Sequence, residues 1–266
     1  MARDEQPAAA EDAGAPLAGS PALGQTLARE AVRRISASVQ AHHADFVALR
    51  RDLHRHPELA FQEHRTAARV AELLTQWGYE VHTGIAGTGV VGTLRRGDGA
   101  KRLGLRADMD ALPIQEETGL PYASTHAGVM HACGHDGHTA ALLAAARYLA
   151  QEGEFDGQLQ LIFQPAEEMG GGAQRMIAAG LFERFPVDAV FGLHNWPCVE
   201  AGHLGCVSGP AMASVDQARV VIRGQGGHGA LPQETVDPVL ASAHVVAALQ
   251  SVVARNIDPM DTAVVS

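Results

Sequence analysis

The sequence predicts an α/β fold in which strands and helices alternate along the chain. Apolar runs of strand length end in polar segments, and patterns of helical periodicity follow several of them. This happens three times between residues 102 and 195, and chemically reactive side chains stand where each run ends. Such alternation indicates a largely parallel sheet with both faces covered, and these sheets bind ligands at the carboxyl ends of their strands.

The composition limits which binding partners and which cellular compartment we expect. The 266 residues include 20 Lys and Arg against 30 Asp and Glu, a net charge of -10. This argues against a surface for nucleic acid or for an anionic membrane, which needs clustered basic residues. Three cysteines do not form a disulfide framework, so we expect a reducing, cytoplasmic compartment. We expect no transmembrane span, because the apolar run Thr139–Ala150 is too short and contains Arg147.

The first elements can be placed from periodicity and from helix-ending residues. Residues 1–25 are rich in Ala, Pro and Gly and predict a disordered tail. Apolar residues at near-helical spacing predict a helix over Thr26–Leu53, which Pro57 ends. A second helix over Glu63–Trp77 closes at Gly78. Two strands are then predicted, over Glu80–Thr83 and Gly89–Leu94.

The middle of the chain supplies the three apolar runs of the alternating pattern. The runs are Arg102–Arg106, Gln158–Phe163 and Asp188–Gly192, with helices over Thr139–Ala150 and Gln174–Ala179. The pattern of the sequence changes near Gly209, so we divide the chain into one domain over residues 26–209 and another over 210–266. Later elements are strands over Gly202–Val207 and Ala218–Ile222, and a helix over Thr235–Val253 with Asp237 and Pro238 in its first turn.

The densest group of metal-binding side chains is Met130–His138, which reads Met-His-Ala-Cys-Gly-His-Asp-Gly-His. Thiolate and imidazole suit zinc, manganese, nickel or iron, whereas calcium and magnesium prefer oxygen. The spacing of Cys133 and His135 lets both reach one metal cluster from a loop. The alternatives are a free buried cysteine in a polar turn and a haem-attachment motif whose first cysteine is absent. We interpret His131 and His138 as packing or supporting residues.

Two adjacent glutamates, Glu167 and Glu168, follow the apolar run that ends at Phe163. On extended backbone their side chains would diverge, so that one binds a metal ion while the other faces a water molecule. A metal ion lowers the pKa of water, and a carboxylate can take the proton and pass it to a leaving group. The alternative is a pair of solvated surface glutamates.

Four further residues are candidates for the site because of where they stand relative to predicted strands and glycines. Asp108 and Asp110 follow a strand, where one would orient a ligand histidine; the alternative is an Asx-turn. His194 follows an apolar strand, which favours a ligand over an ordinary packed histidine. His228 lies in a glycine-rich segment and can donate to a developing oxyanion, although glycine-rich hairpins with one histidine are common.

Together these stretches resemble the M20 metallopeptidase family, in its branch of hippurate hydrolases and auxin–amino-acid conjugate hydrolases. The matching stretches are Leu53–Leu59, Leu105–Pro113, Met130–Thr139, Phe163–Glu168, His194–Asn195, Gly226–Ala230 and Asp237–Pro238, in family order. The resemblance implies a zinc-peptidase-like three-layer catalytic domain with an inserted two-layer α/β lid that forms a homodimer. It also implies two divalent ions per subunit, Mn²⁺ or Zn²⁺ first and Ni²⁺ or Co²⁺ next.

The resemblance also assigns roles to individual residues. The implied metal ligands are Cys133, His135, Glu168 and His194. The implied catalytic residues are Glu167 as general base and then acid, Asp110 as a support of the site, and His228 as an oxyanion donor to the partner subunit's site. The implied substrates are N-acyl or N-aroyl amino acids, cleaved at the amide. The alternatives are a small-peptide hydrolase, an N-acetyl-amino-acid deacetylase and an inactive remnant that keeps a metal-binding loop.

Two departures from the family pattern bear on these implications. Gln233 stands after Pro232, where the family usually has a histidine, so one lid contact is missing. The family's lid and the returning half of its catalytic domain, with the last ligand histidine, would extend beyond Ser266. We therefore expect this chain to be the N-terminal part of a longer enzyme, and expect residues 1–266 alone to be poorly soluble and inactive.

Overall fold

A computed structural model describes residues 21–209 and 211–266 of the chain. Most of the predicted tail, residues 1–20, lies outside the described residues, whereas residues 21–25 belong to the first helix. The chain divides into two compact units, one ending at Glu200 and the other running from Ala201 to Ser266. The domain boundary that the sequence suggests near Gly209 stays a prediction.

The described part of the first unit contains six helices and five strands. The helices are α1 Pro21–Ala41, α2 His43–Arg55, α3 His64–Gln76, α4 His135–Gln151, α5 Gly172–Ala178 and α6 Leu181–Arg184. The strands are β1 Glu80–Ile85, β2 Gly89–Arg96, β3 Arg102–Asp108, β4 Gly157–Gln164 and β5 Ala189–Gly192. The predicted single helix over Thr26–Leu53 is wrong, because the backbone turns at His42, where ψ is 10°. No glycine or proline marks this break in the sequence.

The five strands form one sheet in the order β1-β2-β4-β3-β5. β3 pairs in parallel with both β4 and β5, whereas β2 pairs antiparallel with β1 and β4. The α/β class is therefore confirmed, but the sheet is mixed rather than largely parallel. The short connection between β1 and β2 explains part of the difference, since a parallel pair needs a crossover of a dozen residues or more.

Both faces of the central strands are packed. Residues that alternate along β2 and β4 divide between the two faces, as strand geometry requires. One core joins Val90, Leu161 and Phe163 to Val70, Leu74 and Leu143 from α3 and α4. The opposite core joins Val91 and Ile162 to Met176, Leu181 and Phe185 from α5, α6 and the residue after it. The result is a helix–sheet–helix arrangement of three layers, with β5 exposed at one edge.

The carboxyl ends of the three parallel strands lie side by side. Asp108 at the end of β3 pairs with Gln164 at the end of β4. Arg106 of β3 pairs with Gly192, the last residue of β5. The polar segments after these strands therefore begin at one edge of the sheet, where ligands bind in α/β folds.

The second unit contains one long helix, α7, which spans Pro238–Asn256. It begins at Pro238 because the side chain of Asp237 caps it, accepting hydrogen bonds from the N–H groups of Val239 (2.9 Å) and Leu240 (3.2 Å). By length and composition this helix meets the requirement for a membrane span, against the sequence-based expectation of no such segment. One helix of this kind is weak support for a membrane role, since core helices of other proteins pass the same test.

The two strands predicted in this unit are wrong. Neither Gly202–Val207 nor Ala218–Ile222 forms a ladder within the described residues. A strand persists through hydrogen bonds to a partner, and the only pairing described in this unit is an isolated bridge between Gln225 and Val236.

Candidate metal centre

His135 stands at the centre of the site and is the first residue of α4. The helix begins here because Gly134 adopts a left-handed φ of +93°. The predicted loop position of His135 is therefore wrong, whereas Cys133 does lie in the loop. The Nδ1 atom of His135 lies 3.2 Å from Oδ1 of Asp110, while its Nε2 is buried without a hydrogen-bond partner. Such an arrangement fixes the ring and directs the free nitrogen to a metal ion.

Cys133 and His194 approach His135 from two other segments. The Sγ atom of Cys133 lies 3.5 Å from Nε2 of His194. Nδ1 of His194 lies 2.6 Å from the carbonyl oxygen of Asn195, so this nitrogen carries the proton and Nε2 offers its lone pair. One donor atom from each of Cys133, His135 and His194 lies within 4.8 Å of the others. This is a donor set of thiolate and imidazole, which suits zinc and similar transition ions.

The carboxylates of Glu167 and Glu168 both lie near Nε2 of His135. Nε2 of His135 lies 3.8 Å from Oε1 of Glu168 and 3.9 Å from Oε2 of Glu167. The expected divergence on extended backbone is wrong, because both residues lie in a turn after β4. Oε1 of Glu168 is also buried without a partner, so two unsatisfied acceptor atoms face each other across a short gap. Buried acceptors without donors need an explanation, and a bound cation supplies one.

The electrostatics of the site follow from burial and from the crowding of carboxylates. Burial and then the neighbouring Glu168 raise the pKa of Glu167. Burial and then the neighbouring Glu168 raise the pKa of Cys133 to about 12. Both shifts reflect the cost of adding negative charge to a desolvated, already negative cluster.

Asp110 connects His135 to the glutamates. Its Oδ1 accepts from Nδ1 of His135, and its Oδ2 accepts from the backbone N–H of Glu168 at 3.0 Å. Burial opposes ionisation of Asp110, but these hydrogen bonds outweigh it and lower its pKa. A single buried carboxylate therefore fixes two of the candidate ligands relative to each other.

Asp108, the last residue of β3, supports a second histidine. Its Oδ1 accepts a 2.6 Å hydrogen bond from Nδ1 of His138, and Nε2 of His138 accepts from the N–H of Asn195 at 2.7 Å. Both ring nitrogens are therefore engaged, which fits the supporting role that the sequence suggests for His138. Burial opposes ionisation of Asp108, but His138 and the guanidinium of Arg106 outweigh it and lower its pKa to about 2.

Several residues around the site carried no usable signal in the sequence. His54 lies in the last turn of α2, and its buried ring nitrogens lie 2.9 Å from Asp136 and 3.3 Å from Glu116. Arg50 also contacts Asp136, at 2.6 Å. These partners are far apart in sequence, so only the fold reveals the network. His131 is buried, and burial lowers its pKa to about 4.

His228 belongs to the second unit and is exposed in the glycine-rich segment before α7. Its Nδ1 accepts a hydrogen bond from the N–H of Ala230 at 3.2 Å. The segment from Gly224 to Pro238 lines a cleft of this unit that includes His228. Its assignment as an oxyanion donor remains a proposal.

The fold agrees with comparisons to known proteins. The description of Peptidase family M20/M25/M40 matches residues 104–265, well over half of the chain, and the protein belongs to this family. A hippurate hydrolase of Campylobacter jejuni is 52% identical over 222 residues, which cover 84% of this chain and 58% of that enzyme. An N-acetylcysteine deacetylase of Bacillus subtilis is 44% identical over 229 residues, 85% of this chain and 60% of its own length.

A solved structure supports the same conclusion. The YXEP protein of Bacillus subtilis, described as a dinuclear metal binding peptidase from the M20 family, is 44% identical with a TM-score of 0.56. The match covers 60% of this chain and 44% of that one. The chain thus spans a little more than half the length of the two enzymes named above.

Proposed function

We propose that the protein is a metal-dependent amidohydrolase that cleaves the amide bond of N-acyl or N-aroyl amino acids. The observation that carries this proposal is the pair of buried, unpartnered atoms, His135 Nε2 and Glu168 Oε1, with the Glu167 carboxylate beside them. The 52% identity to a hippurate hydrolase supports the class of substrate.

The residues present fit a pair of divalent ions. Cys133, His135, Glu168 and His194 would hold them, through one thiolate, two imidazoles and a carboxylate. When bound, the ions would lower the pKa of a water molecule and polarise the carbonyl of the amide. The dinuclear description of the Bacillus subtilis YXEP protein supports two ions rather than one. The donor set favours Zn²⁺ or Mn²⁺, with Ni²⁺ or Co²⁺ next.

Glu167 would move the proton during the reaction. Its carboxylate accepts a proton from the attacking water and then gives it to the amide nitrogen as the C–N bond breaks. The raised pKa of Glu167, caused by burial and by Glu168, makes it a better base near neutral pH. Asp110 would hold Glu168 and His135 in fixed positions throughout the reaction, because it contacts both.

An N-acetyl-amino-acid deacetylase is the second candidate. The 44% identity to an N-acetylcysteine deacetylase favours it, and only the pocket for the acyl group separates the two activities. We further propose that His228 assists the oxyanion, that residues 210–266 begin a lid through which two subunits pair, and that the enzyme works in the cytoplasm.

The test separates the two glutamates. Hydrolysis of N-benzoyl- and N-acetyl-amino acids is assayed with the complete gene product, whose length is first established by sequencing the gene. We expect Glu167→Gln to keep its metal and to lose turnover by roughly a hundredfold to ten-thousandfold, the usual contribution of proton transfer. We expect Glu168→Gln to lose metal first. Glu117→Gln, at an exposed glutamate, is the matched control.

Metal content is measured by elemental analysis of each variant purified without chelator. Metal loss in Glu167→Gln together with full metal in Glu168→Gln would reverse the two assignments. Equal turnover in all three variants would contradict the mechanism, and failure of the parent protein to cleave either substrate would contradict the proposed activity.

A further inference from the structure

Another buried carboxylate, Glu63, lies outside the candidate metal centre but contacts the segment that leads into it. Glu63 is fully buried, at the N-terminal end of α3. Its Oε1 accepts hydrogen bonds from the N–H of Phe61 (3.0 Å) and from the N–H of Ala166 (2.8 Å). Its Oε2 accepts a hydrogen bond from the hydroxyl of Thr88. Three segments that are far apart in sequence thus converge on one side chain.

These three segments share an unusual backbone conformation. Among the residues that the structure describes, only Phe61, Ala86 and Ala166 combine a side chain with a positive φ, at 61°, 53° and 49°. Phe61 and Ala166 donate directly to Glu63, and Ala86 stands two residues before Thr88 in the turn between β1 and β2. Residues with a Cβ seldom adopt this region, and such strain persists only where surrounding contacts enforce it.

The peptide of Ala166 is held on both sides. Its N–H donates to Glu63, and its carbonyl oxygen accepts from the N–H of Gly172 at 2.9 Å. Gly172 has no space for a side chain, since a Cβ there would lie 1.7 Å from the carbonyl oxygen of Pro165. The segment therefore packs in a single arrangement, and Glu167 follows directly from its strained residue.

We propose that Glu63 is a positioning residue for Glu167. Glu63 accepts a hydrogen bond from the N–H of Ala166, and Asp110 accepts one from the N–H of Glu168. Two buried carboxylates therefore hold the backbone on either side of the general base. This inference rests on the proposed function, in which Glu167 transfers the proton. Metal binding is expected to depend less on Glu63, because Cys133, His135 and His194 have no described contact with it. The fourth proposed ligand, Glu168, is held through its own N–H by Asp110.

Substitutions at Glu63 separate hydrogen bonding from shape. Glu63→Ala removes the acceptor for both amides. Glu63→Gln retains a carbonyl oxygen for the N–H groups of Phe61 and Ala166, and its amide nitrogen can donate to the Thr88 hydroxyl. Thr88→Val removes only the third hydrogen bond. Glu72→Ala changes an exposed glutamate of the same helix and serves as the control.

Crystal structures and amide hydrogen exchange read the position of the segment without any substrate. In Glu63→Ala we expect φ of Ala166 to leave the left-handed region and its amide to exchange faster. We also expect the 3.9 Å separation between Glu167 Oε2 and His135 Nε2 to change. Co²⁺ affinity is expected to stay close to that of the parent protein. An unchanged Ala166 and Glu167 in this variant would overturn the proposal.

Kinetics in the complete gene product then test the consequence. We expect Glu63→Ala to lower kcat by about a hundredfold with little change in KM, since misplacement of a catalytic group by about 1 Å has effects of this size. Glu63→Gln should restore most of the loss. Equal losses in the Gln and Ala variants, or a fall in Co²⁺ affinity that matches the fall in kcat, would overturn a positioning role.

The design also covers two other outcomes. If Glu63→Ala does not fold, Thr88→Val carries the test: faster exchange at Ala166 with a smaller fall in kcat supports the proposal, and faster exchange with unchanged kcat overturns it. If the parent protein hydrolyses neither substrate, the proposed function fails, while the crystal structures and the exchange at Ala166 still decide whether Glu63 positions Glu167.

Discussion

Replacing Cys133 by Asp should remove one proton from the pH dependence of metal binding. Burial and then the nearby carboxylate of Glu168 raise the pKa of the Cys133 thiol to about 12, so the metal-free protein holds this thiol protonated at neutral pH. A metal ion binds the thiolate and must displace the proton. An aspartate has an ordinary pKa roughly five units below that of a cysteine, so even where burial and Glu168 raise its pKa, far less of its proton remains to be displaced towards pH 8.5.

The size of the effect follows from the pKa. A thiol pKa of about 12 lies about five units above pH 7, so proton competition weakens binding through this ligand by about 10⁵-fold at pH 7. Below pH 12 each unit of pH therefore changes the apparent affinity of the parent protein about tenfold through Cys133 alone. Burial opposes protonation of His135, but Asp110 and then Asp108 outweigh it and raise its pKa, so His135 also releases a proton on metal binding in both proteins.

The assay is a Co²⁺ titration between about pH 6.5 and 8.5, where a cysteine pKa near its ordinary value would not give a constant slope. The logarithm of the affinity is plotted against pH for the parent protein, for Cys133→Asp and for Cys198→Asp. Cys198 is exposed and serves as the matched control. We expect the slope at the upper end of this range to fall by about one in Cys133→Asp and to stay unchanged in Cys198→Asp.

An equal slope in the parent protein and in Cys133→Asp would refute the reasoning, because it would show that no proton leaves Cys133 on metal binding. A fall of the slope in Cys198→Asp as well would also count against it, since the effect would then not be local to the site.

Three further predictions concern supporting residues. His138→Phe, which removes the contacts to Asp108 and Asn195, should lower Co²⁺ affinity by about tenfold to a hundredfold in titrations, although no proposed ligand is lost. Folding lowers the pKa of Asp108 from 3.8 to about 2, so its ionised form should contribute about 2 kcal/mol to the free energy of unfolding above pH 4. This contribution is lost as the pH falls through 2, and Asp108→Asn should flatten this acid dependence in denaturant melts. Gly172→Ala should lower the melting temperature, whereas Gly137→Ala, with open space around it, should not.

The sequence was most informative where the pattern is local. β3 and β4 were placed to within two residues, because buried strands appear as short apolar runs with sharp ends. The end of α3 was placed by Gly78, which has a φ of +88° in the structure. The polar residues after the strands were then expected at one edge of the sheet, and the parallel pairing of β3 with β4 and β5 brings them there.

Elements that depend on distant partners were missed. The antiparallel pairing of β2 with β4 joins strands about sixty residues apart, and nothing in either strand specifies its direction. The start of α4 was placed four residues late because His135, Asp136 and His138 are poor helix formers. Their side chains are held there by distant partners, Asp110, His54 and Asp108 respectively.

The same distinction explains which parts of the site were found. Glu167, Glu168 and Cys133 stand in short motifs whose residue types and spacing already indicate their chemistry. The support of His138 by Asp108 and of Ala166 by Glu63 joins residues 30 and 103 positions apart. A sequence pattern cannot show such contacts, because nothing next to either partner in the sequence indicates the other.

The position of the bound metal tests the central claim most directly. Crystals of the complete gene product loaded with Zn²⁺ are measured at the zinc absorption edge, and anomalous difference peaks locate the ions. We expect two peaks, with Zn–S of about 2.3 Å to Cys133 and Zn–N of about 2.0–2.1 Å to Nε2 of His135. A peak bonded instead to His138 and Asp108, with the sulfur of Cys133 outside bonding distance, would contradict the account.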